Sequence, residues 1–495
     1  MTVAPLEEEQ AAFPSGISAP PPERGTGGRL SRMAISGGAY LVGREAIGMV
    51  IRLLGVVVVV REMGPSSYGL YAAAAAYVLV IATVAQMGTE VYLIRIPEEP
   101  DRHRYNQAFT FLLVSSVLIT AVALAATVAF GSFLRPVGVL LPLQVLLLTV
   151  PINVLWAPAQ ACIERRFGYK QMGILEVVGD LVLYGTAIPL AVTGAGEWSL
   201  VAGFFAWQLW LLIGSLVMSG LRPRWEWSAE TMRTLTRHGL SFSSSSWISQ
   251  LGGLVNAMVV GTFVGSAGVG YVAFAQRLVD TIGFAKRGAY RLGMVALSKV
   301  PSEDKRRLRY GIEEGSLLQL VVLAVPFAGF ALVARWMIPL VFGRQWTGTI
   351  PVYSVLAVSA ILSGPILIQI TLLFTRGKNL QVALAMAVQV AVLAAGAVVL
   401  VHFFGILGYG LATLASLVCV LLINRMVRRI TNFDYSKLLP FAVALIPLVL
   451  APVVPLPTVP LLAVPMVAMA CVASVRAEGV RIVQLVTTSL REGRR

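Results

Sequence analysis

The chain reads as a succession of apolar blocks cut at intervals by short polar connections, each block near the roughly 20 residues that cross a bilayer as a helix. About fourteen blocks are predicted, over 33–60, 67–93, 105–130, 137–161, 172–193, 197–219, 239–264, 268–292, 312–340, 348–375, 379–403, 406–424, 438–455 and 458–475. In the last two, Pro447, Pro452, Pro455, Pro457 and Pro460 interrupt a short apolar stretch, so they read either as two crossings or as a re-entrant pair. The sequence shows none of the short alternating strands of a barrel, which leaves helices as the way to satisfy every backbone group in lipid.

Polar residues between the blocks alternate in charge. Every second connection is basic: Arg95/Arg102/Arg104, Arg165/Arg166/Lys170, Arg222/Arg224/Arg233/Arg237, Lys299/Lys305/Arg306/Arg307/Arg309, Arg376/Lys378 and Arg425/Arg428/Arg429/Lys437. The intervening ones hold little beyond Arg61, Arg135 and Arg344. Basic connections stay cytoplasmic, so both termini are expected in the cytoplasm, in an inner-membrane, multi-pass protein. Composition agrees: 57% apolar, 13% charged and a mean hydropathy of +0.79 exclude a soluble domain. The net charge of +15 is then positive-inside charge facing anionic headgroups, not a nucleic-acid surface. Cys162, Cys419 and Cys471 lie in or beside apolar blocks at unrelated spacings, and His103, His238 and His402 are scattered, so neither a disulfide framework nor a metal site is expected.

The chain echoes itself. Gly64-Pro65-Ser-Ser-Tyr-Gly69 joins blocks one and two, and Gly265-Ser-Ala-Gly-Val-Gly270 joins blocks seven and eight, each after a Val-rich helix end and before a Tyr-containing helix. A looser echo sets Gly131 to Pro142 against Gly343 to Pro351. A recurring offset near 200 residues predicts an all-α integral membrane protein of two pseudo-symmetric six-helix halves with two appended helices. The expected domains are a disordered tail 1–32, an N-terminal lobe 33–219, a cytoplasmic linker 220–238, a C-terminal lobe 239–430, two further helices 431–475 and a basic tail 476–495. The linker contains Trp225-Glu226-Trp227 and reads as an interfacial segment.

Charges inside the blocks are the candidate chemistry. Arg44, Glu45 and Arg52 lie on the first, and Arg44 falls near mid-membrane, where a charge costs about 2.5–3.5 kcal/mol on the lenient insertion scale. Glu45 and Arg52, seven apart, share a face two turns apart, with Arg44 about 80° round from Arg52. On the eighth block Arg277, Asp280, Arg287 and Arg291 fall in a stripe about 80° wide, while Lys286 points elsewhere. Arg277 and Asp280 stand i, i+3 and suit partial mutual neutralisation. The seventh block carries Ser241, Ser243, Ser244, Ser245, Ser246, Ser249, Gln250 and Asn256, small polar residues that favour close helix packing over ligand contact. Glu90, Glu176 and Asp180 offer a proton or sodium coupling site, or partners for Arg95, Arg165 and Arg166. The deep charge is cationic on balance, and guanidinium forks suit phosphate oxygens better than organic cations. An anionic substrate, such as a diphosphate, is inferred.

With these features the chain resembles the Wzx-type polysaccharide flippases of the multidrug/oligosaccharidyl-lipid/polysaccharide exporter superfamily. The resemblance rests on the arginine-bearing first span, on "REMGPSSYGLYAAA" from Arg61, on "QMGTEVYLIR" from Gln86 and on "FGRQWTG" from Phe342. It implies transfer of undecaprenyl-diphosphate-linked sugar units between leaflets by alternating access around a cationic cavity. No cofactor is implied beyond a possible coupling ion, and the chain would act as a monomer beside a polymerase and glycosyltransferases. Arg44, Arg52 and Arg277 match the family's inward-facing basic positions in kind. Three other readings stay open. A lipid II flippase differs only in substrate, and a multidrug antiporter calls for deep unpaired carboxylates. A membrane glycosyltransferase or polymerase needs a large extramembrane loop, which these connections are too short to supply.

Overall fold

The computed structural model describes residues 27–96, 100–283, 304–431 and 438–466; Arg287 and Arg291 lie outside it, as do the side chains of 27–47, among them Arg44 and Glu45, and of 237–246. The described residues are predominantly helical, with no strand among them.

The first helix, α1 (Gly27–Gln86), holds two spans, broken where Gly64 takes φ 73° and ψ 170°. Pro65 explains the break: it disfavours helical geometry in the residue before it and starts the next helix without needing an N–H partner. After α2 (Thr89–Arg95) come α3 (Arg102–Phe130) and a fourth span in three pieces, α4 (Leu140–Leu147), α5 (Thr149–Leu155) and α6 (Ala157–Arg165). The block predicted over 137–161 is this span, Leu140–Arg165, and its two turns fall at Leu148 and Trp156, shortly before Pro151 and Pro158, each of which lacks a helical N–H. The first half closes with α7 (Tyr169–Val192) and α8 (Glu197–Ser219).

The linker is shorter than expected. Ser228 caps α9 (Ala229–Val255) by accepting from Thr231 N–H, so that helix starts ten residues before 239. A π-helical turn (Asn256–Val260) and α10 (Gly261–Phe263) end this span, and α11 (Ser266–Ile282) follows. Beyond it lie α12 (Lys305–Val341), α13 (Thr349–Thr375), α14 (Asn379–Phe404), α15 (Ile406–Ser416), α16 (Cys419–Thr431) and α17 (Leu439–Val449), then a 3-10 stretch over Leu456–Ala463.

Nine helical segments among the described residues are long and apolar enough to cross a membrane, the first of them carrying two predicted spans. They make this a multi-pass membrane protein. The α13 span is the most enclosed of the nine and α14 the least, which sets one inside its half and the other at the periphery.

The two halves meet at the end that carries the glycine turns. Gly265 has φ 84° and ψ −170°, the conformation of Gly64 201 residues earlier. A Cβ on Gly69 would fall on the Ser266 carbonyl oxygen, and one on Gly270 would fall on that of Pro65. Since 69 and 270 are separated by the same 201 residues as 64 and 265, this crossing is reciprocal, the mark of a two-fold relation. Between the turns the Ser66 and Ser266 hydroxyls lie 2.6 Å apart.

The same operator governs the neighbouring loops. The turn after α3 sets Gly138 against Leu70 and Pro136 against Gly261, while the turn after α12 sets Gly348 against Tyr271 and Trp346 against Val60. Each loop thus packs on its own half and reaches across to the other. Trp346 Nε1 donates to the Val60 carbonyl at 3.1 Å, Gln345 Nε2 to that of Arg61 at 2.7 Å, and Arg61 to the carbonyls of Leu340 and Val341.

Candidate functional site

Two arginines, one from each half, converge on α7. Arg52 Nη1 lies 2.8 Å from Asp180 Oδ2, and Tyr184, one turn further along the same face, lies within electrostatic reach of the Arg277 guanidinium. Four residues of helix separate the anchoring points by about 6 Å. Arg52 lies twelve residues before Gly64 and Arg277 twelve after Gly265, so both sit roughly 18 Å from the glycine turns, near mid-membrane.

The packing of α1 makes this approach possible. The Tyr184 ring lies directly on Gly55, where a Cβ would overlap it, so glycine admits the ring against the α1 backbone. Arg52 folds back along its own helix, its guanidinium 3.2 Å from the space a Cβ would take on Gly48. Around Arg277 the hydroxyls of Tyr68 and Tyr71 add electronegative atoms within electrostatic reach. Tyr68 is held edge-on against Phe274 and Trp346, at 6.2 and 5.6 Å between ring centroids. The Arg52 side chain is 32% exposed and Asp180 11%, so this pair is accessible on the Arg52 side rather than sealed in a core.

Other expected residues take different places. Asp280 accepts from Gln276 at 3.2 Å, while Arg277 turns to Tyr184. Glu176 lies one turn from Asp180 on α7. Glu90 is remote from the arginines: it accepts from Gln86 at 3.0 Å at the basic end of the bundle. Arg165 Nη1 donates to the carbonyls of Leu93, Ile94 and Ile96 and closes the end of α2, and Arg166 donates to that of Ser219. Gly64, Pro65, Gly69, Gly265 and Gly270 form the crossing described above. No group of three or more potential metal-binding side chains occurs among the described residues.

Sequence reasoning passed over Tyr68, Tyr71 and Tyr184, although the Asp180/Tyr184 spacing of one helical turn was available. It also missed the seating of the linker. Glu226 accepts from Asn106 Nδ2 at 2.7 Å and from His103 Nδ1 at 2.9 Å, and its N–H donates to Thr110 Oγ1. Arg224 N–H donates to Asn106 Oδ1 and Thr231 Oγ1 to Gln107 Oε1, so residues 103, 106, 107 and 110, one stripe of α3, take the whole strap.

The polysaccharide biosynthesis protein family matches residues 58–351, more than half of the chain, a stretch that holds Arg277 and both glycine turns and begins six residues after Arg52. The chain belongs to this family. Its sequence is also 23% identical over 319 residues to the succinoglycan biosynthesis transport protein ExoT of Rhizobium meliloti (strain 1021), a match covering 62% of each chain. The aligned part thus spans about three fifths of that relative's length. Among solved structures, the lipid II flippase MurJ in an inward closed conformation superposes with a TM-score of 0.68 at 14% identity, covering 83% of this chain and 92% of that one. An inward-facing multidrug resistance MATE transporter of the MOP superfamily gives 0.62 at 15% identity, over 79% and 98%. These structural likenesses establish the fold, which the chain shares with that flippase and that transporter.

Proposed function

We propose that the protein flips a polyprenyl-diphosphate-linked oligosaccharide from the cytoplasmic to the outer leaflet of the inner membrane, with both termini cytoplasmic, for surface polysaccharide synthesis. The observation that carries this reading is the meeting of Arg52 and Arg277 on one face of α7, one guanidinium from each half. Two forks about one helical turn apart suit the two phosphates of a diphosphate, each taking paired N–H···O bonds. Asp180 then acts as a stand-in anion that holds Arg52 until a phosphate displaces it, and Tyr184 orients Arg277. The lipid tail stays in the bilayer while the halves rock, opening and closing the end that carries the glycine crossing, which this reading sets on the outer side. Carboxylates such as Asp180 and Glu176 supply a proton or sodium site for coupling. Alternatively, outward movement of an anion draws on a membrane potential worth about 2.3 kcal/mol per charge per 100 mV.

The reading is tested by glycan export in a deletion strain complemented with Arg52→Ala, Arg277→Ala and Arg277→Lys. Both alanine variants are expected to insert and fold yet lose export, and the lysine variant to recover only part, because the fork is lost. Export at the parental level in both alanine variants would refute the assignment. A cationic drug as substrate is disfavoured by the same geometry, since both arginines repel it.

A further inference from the structure

A cavity of about 310 Å³ lies at the basic end of the bundle, between α2, α3 and the first turns of α9, lined by Tyr92, Arg104, Glu230, Thr231, Thr234 and Leu235 among others. We propose that it is a glycan subsite, receiving sugars of the lipid-linked substrate while the diphosphate occupies the arginine pair; it therefore rests on the flippase reading.

The walls are fixed in place. Three carbonyls at the end of α2 are held by Arg165, and the start of α9 is held by the linker strap and by Thr231 donating to Gln107. A preformed space of this volume falls within the usual range of small-molecule sites, about 300–1,000 Å³.

Its chemistry selects the ligand class. A guanidinium (Arg104) and a carboxylate (Glu230) share one cavity. A diphosphate meets repulsion from Glu230, and an organic cation meets it from Arg104. A neutral polyol satisfies both, since each hydroxyl accepts from the guanidinium and donates to the carboxylate. Threonine hydroxyls extend that pattern, and the Tyr92 ring offers a flat apolar face for a sugar's C–H side.

Position supplies the third argument. Tyr92 lies 28 residues beyond Gly64, against twelve for Arg52 on the other side of the turn, which places the cavity roughly 20 Å nearer the basic end than the arginines. A glycan running from a diphosphate at Arg52 and Arg277 towards the basic end leads there.

The test uses the full chain in proteoliposomes and two probes, polyprenyl diphosphate bearing one hexose and the same lipid bearing a hexose tetrasaccharide. Thr234→Trp fills the cavity. It is expected to slow the tetrasaccharide lipid about ten-fold while leaving the one-hexose lipid within about two-fold of the parent. Thr234→Ser should leave both rates unchanged, and an unaltered melting temperature of Thr234→Trp guards against misfolding. Equal slowing of both lipids by Thr234→Trp, or no slowing of either, overturns the subsite. So does slowing of both in the parent when phosphatidylethanolamine is left out of the vesicles, since that assigns the cavity to a zwitterionic headgroup. Loss of the flippase reading shows separately, as an Arg277→Ala variant that moves both lipids at the parental rate.

Discussion

A buried or half-buried arginine in a membrane needs a partner, and the partners of Arg52 and Arg277 define what the site does. Asp180 and Tyr184 hold the two guanidinium groups in one place, but in different ways. An ion pair must be broken before Arg52 binds a phosphate, whereas a phenol leaves most of the Arg277 fork available. Asp180→Asn should therefore bind the lipid substrate more tightly and turn over more slowly, which a comparison of apparent KM with maximal rate in vesicles would reveal. Tyr184→Phe removes the hydroxyl that faces Arg277 and should raise the apparent KM about ten-fold, because the guanidinium is then less well oriented towards a phosphate. The charges were legible in the sequence because an arginine inside an apolar run stands out. Their meeting point was not, because Gly55 and Tyr184 look like ordinary membrane residues until the ring is seen lying on the glycine.

Among the elements, the glycine crossing and the linker strap show how far local sequence reaches. Paired GxxxxG turns 201 residues apart were visible as an echo, and the structure adds that they pack on one another, backbone to backbone. A side chain on Gly270 meets the Pro65 carbonyl, which cannot rotate away. Gly270→Val should thus push α1 and α11 apart and destabilise the protein by about 1–3 kcal/mol or more, read as a lower melting temperature in detergent. The strap was hidden for a different reason: Glu226, Asn106 and Thr110 are polar residues in a polar connection, and nothing in their spacing says which stripe of α3 they choose. Hydrogen bonds from Asn106 and then His103 hold the Glu226 carboxyl below its ordinary range. A lowered carboxylate stabilises the docked strap above its unfolded value near 4.3, and that contribution fades as pH falls through the lowered one. Hydrogen exchange over 224–228 should rise at acid pH, and Glu226→Gln should flatten the dependence. The broken fourth span teaches the same lesson from the opposite side, since Pro151 and Pro158 were in plain view and their effect on helix continuity follows directly.

For the whole molecule, rocking halves require the glycine-bearing end to open. The Ser66 and Ser266 hydroxyls are 2.6 Å apart across that seam, close enough for the Cβ separation of a disulfide after cysteine replacement. A Ser66→Cys/Ser266→Cys double variant should form this bond under oxidation, stop transport and regain it on reduction; undiminished transport in the cross-linked protein would count against alternating access. Hydropathy and charge alternation were enough to recover the helical, multi-pass architecture, because lipid penalises alternatives so heavily. They were not enough to say how one half is seated on the other, which depends on backbone contacts that periodicity does not encode. The two-fold relation carries one more consequence. Shifting Arg52 by 201 residues lands on Gly253, and shifting Arg277 back lands on Ala76. The axis that relates the halves does not relate their arginines. The frame repeats while its charge does not, so under the proposed function each chain would carry a single binding site with a fixed head and tail, and one lipid would enter in one orientation. A symmetric dimer of half-length chains would carry two such sites or neither; joining the halves in one polypeptide lets one copy of each position keep its arginine while the other gives it up.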